Sequence, residues 1–451
     1  MAKFDLVIRG GRALVPEGEL QADIAALDGA IVEIAASISG SAREEIDASG
    51  LHVFPGLIDP HVHFNDPGRT NWEGFATGSA ALAAGGGTCF FDMPLNASPP
   101  TLDGISFDAK RRAAEAASLT DFALWGGLTP DNLDRLEELA ERGVIGLKAF
   151  MCDSGIDDFP RADDLTLHRG MQIAARLGLL VAVHAESQEI TQRLSAEARR
   201  DGRVSWHDYL ASRPIIAETE AISRAIHLAG ETGCKLHIVH VSTPRGVDIV
   251  RRASAAGVDV TCETCPHYLL MTSTDLEARG ASVKCAPPLR SSREAARLWK
   301  QLGRGEIDFV ASDHSPSPPS MKMDRDSFST WGGIAGVQST LLSLLGRAEL
   351  SPRRIAEATA ETIAGRFGLK TKGKIAVSFD ADFAIVDLKK QYVLGTRDLL
   401  DRHRANPYVG RTFSGTLIRT IARGKTIYRD NCTMPGLPPR LIRPRSGGEY
   451  A

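Results

Sequence analysis

Short runs of β-branched and aromatic residues recur along most of the chain. Between them lie stretches whose apolar positions fall three or four residues apart. The first pattern predicts strands and the second amphipathic helices. Eight such runs follow the first fifty residues, at 51–58, 88–93, 122–125, 144–150, 179–184, 235–241, 258–262 and 307–311. The stretch 217–230 is typical of what separates them, with Ile222, Ile226 and Ala229 on one helical face. Strands alternating with helices predict a parallel sheet, and eight such units predict a (β/α)8 TIM-like barrel. A doubly wound sheet is the alternative. No glycine-rich dinucleotide fingerprint follows an early strand, however. Gly85-Gly86-Gly87 precedes a strand instead of opening a helix, and reads as a tight turn.

Both ends of the chain break the alternation. Strand-like runs at 4–8, 13–15, 22–27 and 31–34 are punctuated by Gly10-Gly11 and Asp28-Gly29. Beyond residue 372 the helical pattern stops, and runs at 381–386, 411–413, 417–422 and 425–428 read as strands. The two ends are expected to meet in a small β-sandwich built from 1–52 and 373–451, around a barrel over 53–372. The last fifteen residues, rich in Pro, Arg and Gly, predict a loose or partner-stabilised tail.

Composition acts mainly by exclusion. A chain of 451 residues suits one barrel-sized domain plus a minor one. With 53 basic and 56 acidic residues, charge suggests neither nucleic acid nor a membrane surface as partner. The N-terminus lacks the apolar core of a signal peptide, and no apolar stretch is long enough to span a bilayer. Seven scattered cysteines fit a reducing compartment, so a cytoplasmic location is expected.

Chemistry concentrates at the C-terminal ends of the expected strands, the catalytic face of such a barrel. His61 and His63 are two apart in an extended stretch, so both imidazoles share one face. Alone, that pair is equally two exposed loop histidines. His184 ends another strand, however, and His240 a further one. His237, three residues before His240, faces the other side and is expected to pack or hydrogen-bond. Asp313 ends the last strand, and Lys148 sits inside an apolar one, where an unpaired ammonium is costly. Neutral imidazoles with a carboxylate suit zinc and similar first-row ions. The remaining His52, His168, His207, His227 and His403 are expected at the surface. Cys262 and Cys265 form a lone CxxC, weak as a zinc site and explained by alternation along a core strand.

At this point the sequence resembles the cyclic amidohydrolases, the group of dihydroorotases, hydantoinases (dihydropyrimidinases) and allantoinases. Three stretches carry the resemblance: Pro55-Gly56-Leu57-Ile58-Asp59-Pro60-His61-Val62-His63, Gly146-Leu147-Lys148, and Ala311-Ser312-Asp313-His314-Ser315-Pro316. The resemblance implies two divalent metal ions, zinc foremost, with cobalt or manganese also suited. His61 and His63 would hold the more buried ion, and His184 and His240 the more exposed one. Lys148 would carry a CO2-derived carbamate bridging both. Asp313 would bind the first ion and shuttle the proton while a hydroxide between the ions opens a ring amide. A homotetramer acting on a small cyclic ureide is also implied.

Among the branches, dihydroorotases are expected to carry an arginine directly after the HxH pair to hold the substrate carboxylate. Phe64 stands there, followed by Asn65. Hydantoinases are expected to have a tyrosine shortly after the carboxylated lysine, and residues 149–154 contain none. Residues 66–74, Met93-Pro94-Leu95-Asn96, 262–268 and Trp331-Gly332-Gly333-Ile334-Ala335-Gly336 are instead similar to the allantoinase branch. That branch implies ring opening of allantoin to allantoate in purine nitrogen catabolism. The same resemblance places substrate contacts at Ala286 and Gly332, through backbone groups. Asn96 is either an amide partner of the substrate or a cap of its own loop. Hydantoin or dihydropyrimidine hydrolysis is the alternative activity. A barrel kept as a non-catalytic assembly protein is the other, although all the ligand positions are intact.

Overall fold

The computed structural model describes residues 3–444. Its centre is the expected barrel of parallel strands: Leu57–Val62, Gly87–Asp92, Asp121–Leu124, Leu147–Phe150, Leu180–His184, Lys235–Ile238, Val260–Thr264 and Phe309–Val310. Each pairs in parallel with the next. The third reaches the fourth through a short continuation, Gly126–Gly127. A parallel bridge between Val62 and His314 closes the ring. The first barrel strand is buried at every position, as expected where helices cover a sheet from outside.

The helices follow the predicted periodicity. Ile215–Thr232 buries Ala217, Ala221, Ile222, Ala225, Ile226 and Ala229 on one face and stops at Gly233, whose φ of 68° is left-handed. The helix Phe75–Ala84 ends in the glycine turn, and strand two begins at Gly87. In that turn Gly86 has a φ of 88°.

The ends of the chain form a nine-stranded sheet. The runs 4–8 and 13–15 are one strand, Phe4–Val15, interrupted by a bulge between Ile8 and Gly11. A strand at Ala42–Asp47, charged at Arg43, Glu44, Glu45 and Asp47 and so without an apolar signature, pairs beside it. The run 51–58 divides at Gly56. His52–Pro55 pairs with Phe4–Val15 and with Phe383–Val393, whereas Leu57 onward belongs to the barrel. His52 is therefore a strand residue, half-buried. An apolar cluster containing Leu6, Ile24, Val53, Phe383 and Ile421 joins the N- and C-terminal parts of this sheet.

The expected loose tail needs correction. Phe122 donates to Arg440 O (3.0 Å) and accepts from Ile442 N (2.7 Å). These bonds pin residues 440–442 along the third barrel strand, because the continuation to strand four starts only at Gly126 and leaves the Phe122 backbone free. The rest of the tail, 445–451, lies outside the described residues. No helix among the described residues is long and apolar enough to cross a membrane.

Candidate metal centre

Four histidines, one aspartate and one lysine from five strands converge at the C-terminal mouth of the barrel. His61 and His63 extend from strand one, and alternation points both rings inward. Their Nε2 atoms lie 3.2 and 3.4 Å from the same Asp313 oxygen, Oδ1. The other ring nitrogens fix this orientation. His61 Nδ1 meets Glu263 Oε1 at 2.5 Å, and His63 Nδ1 meets the Leu95 carbonyl at 2.8 Å. With acceptors at both Nδ1 atoms, the protons belong there and the Nε2 lone pairs face inward.

In the second pair His184 is set the same way with the nitrogens exchanged, whereas His240 Nδ1 has no partner among the described residues. His184 Nε2 donates to Glu186 Oε2 (2.8 Å), leaving Nδ1 to face His240 Nε2 at 3.0 Å. Arg213 clamps Glu186 with bonds of 2.6 and 3.1 Å, and the Phe150 ring stacks on His184 at 4.7 Å. Cys152, His184 and Glu186 also lie close enough together to suggest a ligand group. Glu186 is engaged by Arg213 and by His184 Nε2, so that side of the ring holds a proton, and the group does not fit an ion. His61, His63 and Asp313 offer three converging lone-pair atoms and do fit one.

His240 and Asp313 lie beyond their strands and carry φ values of 39° and 47°. Left-handed backbone at non-glycine residues persists where surrounding structure holds it, and it clusters at functional sites. Here it turns both side chains into the mouth.

Burial dominates the electrostatics. It lowers the pKa values of His61, His184 and His240 and so favours neutral imidazoles. Burial alone would raise Glu263 and Glu186. The neighbouring His61 and hydrogen bonding from His237 hold Glu263 at about 2, and Arg213 does the same for Glu186. Asp313 is likewise held low against burial by His61, His63 and His240. Burial pushes Asp59 up to about 7; it accepts from the Ser312 and His61 amides and so ties strand one to the last strand.

Lys148 is the outlier. It is fully buried, its Nζ has no hydrogen-bond partner among the described residues, and burial lowers its pKa to about 8. A bare buried amine beside four imidazoles and two carboxylates is what a bridging group built on that nitrogen requires.

Above these residues opens a cavity of about 600 Å³ lined by His61, His63, His184, His240 and Asp313. Asn96, Ala286 and Gly332 also line it. Asn96 Nδ2 donates to Asn65 Oδ1 (3.2 Å), so its amide braces a neighbouring loop rather than its own. His237, as expected, hydrogen-bonds away from the mouth, to Thr261 Oγ1 (2.9 Å) and Glu263 Oε2 (3.2 Å). Cys262 and Cys265 are both in the apolar core.

Phe64 does not occupy the substrate-facing position expected of the residue after His63. Its side chain is fully buried, against Phe75 and Phe90, on the side of the strand away from the cavity. An arginine at that position could not reach a substrate. The next residue, Asn65, turns back toward the mouth with a φ of 66° and meets Asn96. Alternation after His63 was the signal that could have shown this. Glu263 and Glu186 were also missed, although each lies at a strand end where acids are as informative as histidines.

The sequence profile described as the amidohydrolase family matches residues 52–427. An allantoinase of Rubrobacter xylanophilus is 55% identical over 455 residues, covering all of both chains. An allantoinase of Deinococcus radiodurans is 53% identical over 448 residues, covering 98% of this chain and 99% of its own. Among solved structures, an L-hydantoinase (dihydropyrimidinase) from Arthrobacter aurescens superposes with a TM-score of 0.95 at 33% identity, over 98% of this chain and 100% of its own. A D-hydantoinase from Thermus sp. superposes with a TM-score of 0.91 at 26% identity, over 98% and 99%.

Proposed function

The chain belongs to the amidohydrolase family, and from that premise we propose that it opens the ring of allantoin by hydrolysis to give allantoate. One contrast carries the choice of substrate: full-length identity reaches 55% with an allantoinase but 33% with the L-hydantoinase that shares the fold.

The donor set supports a binuclear divalent centre. We assign one ion to His61, His63 and Asp313 and the other to His184 and His240, with zinc as the first expectation and cobalt or manganese compatible with the same ligands. Lys148 is assigned as the bridge. Its neutral amine would form a C–N bond to CO2 and lose one proton, giving a carbamate that would help hold both ions. When bound, the ions lower the pKa of water toward neutrality and polarise the ring carbonyl.

The residues supply orientation and proton transfer. Glu263 and the Leu95 carbonyl hold the first pair of rings, and Glu186 holds His184. Asp313 uses Oδ1 toward His61 and His63, leaving Oδ2 to accept the proton of the attacking water and deliver it to the leaving ring nitrogen. Ala286 and Gly332 are assigned to the ring through backbone groups. Asn96 contributes its place in the wall, its amide being held by Asn65.

A homotetramer is the proposed assembly. Exposed Leu20, Leu27 and Val32 on the terminal sheet support a face covered by another copy. Seven free cysteines support a reducing, cytoplasmic location. Turnover of allantoin by metal-replete protein, beside 5-substituted hydantoins and dihydrouracil, tests the function. Faster opening of either competitor would replace this reading with the hydantoinase one.

A further inference from the structure

Residues 328–333 form one wall of the cavity without regular secondary structure. Their backbone groups are nonetheless almost all engaged. The amides of Phe328, Ser329 and Thr330 donate to Asp326, that of Trp331 to Met321 O (3.0 Å), and that of Gly333 to Lys284 O (2.8 Å). Two ammonium groups take four of the carbonyls. Lys284 Nζ donates to Phe328 O (3.4 Å) and to Thr330 O. Lys322 Nζ donates to Trp331 O (3.3 Å) and Gly333 O (2.8 Å). Among the described residues, only Ser329 O and the N–H and C=O of Gly332 have no partner in this segment.

Neither lysine forms an ion pair among the described residues, and burial lowers Lys284 to about 7 and Lys322 to about 8. Taking an ammonium out of water with carbonyls as its polar partners is unfavourable, in full for the buried Lys284 and in part for the half-buried Lys322, so placing two against one loop needs a reason beyond loop anchoring. Lys284 also runs directly beneath Gly332: a methyl group at Gly332 would meet Lys284 O, Cγ and Cε at 3.9–4.0 Å.

We propose that Lys284 and Lys322 are positioning residues for the reaction, clamping this wall so that the Gly332 N–H and C=O stand ready for the N–H and C=O edge of the substrate ring. A cyclic ureide presents that donor–acceptor edge, so the inference rests on the substrate reading above.

The test uses metal-replete full-length protein. Lys284→Met and Lys322→Met keep the apolar stems and remove the donors. Each is expected to raise KM for allantoin about tenfold with kcat within about threefold of the parent, the pattern of lost uniform binding, at unchanged metal content. Lys322→Arg, which keeps donors on a partly exposed side chain, is expected to stay within about threefold of the parent KM. Without substrate, amide hydrogen exchange of residues 328–333 is expected to quicken in both methionine variants. An unchanged KM in both, exchange unchanged in both, or an arginine variant as poor as Lys322→Met would overturn the clamp. A parent inactive on allantoin would sink the substrate reading, and the exchange measurement would still decide the clamp. If Lys284→Met fails to fold, Lys322→Met decides alone.

Discussion

Two buried lysines mark the opposite ends of the barrel, and their surroundings could hardly differ more. Lys148, at the C-terminal mouth, has no hydrogen-bond partner for its Nζ among the described residues, and burial lowers its pKa to about 8. Lys372, at the N-terminal end, lies 2.6, 2.7 and 2.9 Å from Asp121, Asp382 and Asp380, whose charges outweigh burial and raise its pKa. Arg423 adds a second cation at 3.2 Å from Asp121. One end thus satisfies its charges from the chain itself and joins strand three to the segment entering Phe383–Val393. The other leaves an amine, four imidazole lone pairs and a carboxylate to be satisfied by something bound. The polar core of the first end holds the fold together, and that of the second makes a site.

The comparison breaks most sharply by removing each amine. Lys148→Ala should lose metal and activity together, by at least about 10³-fold, since the metal centre supplies several kcal/mol of the catalysis. A short carboxylic acid should restore part of both by standing in for the carbamate. Full activity in this variant would refute the bridge. Lys148→Met should leave the metal-free protein at least as resistant to urea as the parent, because a buried amine without a hydrogen-bond partner costs stability. Lys372→Met reverses the pattern. Three carboxylates lose their shared cation, and urea unfolding should show a loss of about 3–5 kcal/mol. The protein that does fold should keep its metal. If Lys372→Met instead lost metal without losing stability, the division between the two ends would be wrong.

The two ends also differ in how far the sequence reveals them. The mouth is readable because barrel geometry sends strand ends to one place, so His61, His63, His184, His240 and Asp313 could be gathered from the residues that terminate apolar runs. Lys148 stood out as a charge inside an apolar strand. The failures there were local. The comparison with dihydroorotases needs Phe64 to face the substrate, whereas alternation after His63 points it into the core. Glu186 and Glu263 become legible only when acids at strand ends count beside histidines. The Lys372 cluster had no such signal. Asp121, Lys372, Asp380, Asp382 and Arg423 come from segments brought together only by tertiary pairing, and each alone reads as a surface charge. The same holds for Arg440, whose backbone pins the tail. Ala42–Asp47 was missed for a related reason: its partner strands rather than its composition make it a strand.

Smaller substitutions sharpen the contrast. Glu263→Gln keeps the shape beside His61 but weakens the acceptor that orients it, while His237 retains its bond to Thr261. Metal affinity, measured by competition with a chelator, should fall about 10–100-fold, the range for partners behind a ligand. An unchanged affinity would mean that strand geometry alone aims the ring.

Arg440→Ala should have the smallest effect. Its guanidinium is half-exposed and 3.9 Å from Asp380, a distance and setting in which an ion pair contributes less than about 1 kcal/mol. The backbone of residue 440 matters more. Its N–H donates to Asp121 Oδ1 (2.8 Å) and its carbonyl accepts from Phe122, and alanine keeps both bonds. Urea unfolding should therefore move by less than about 1 kcal/mol, and the shift should shrink further in salt, which screens exposed charge. A loss as large as that in Lys372→Met would show that the cluster's charge balance extends to the surface. The N-terminal end would then be a network held by its outermost cation, not a core closed around Lys372.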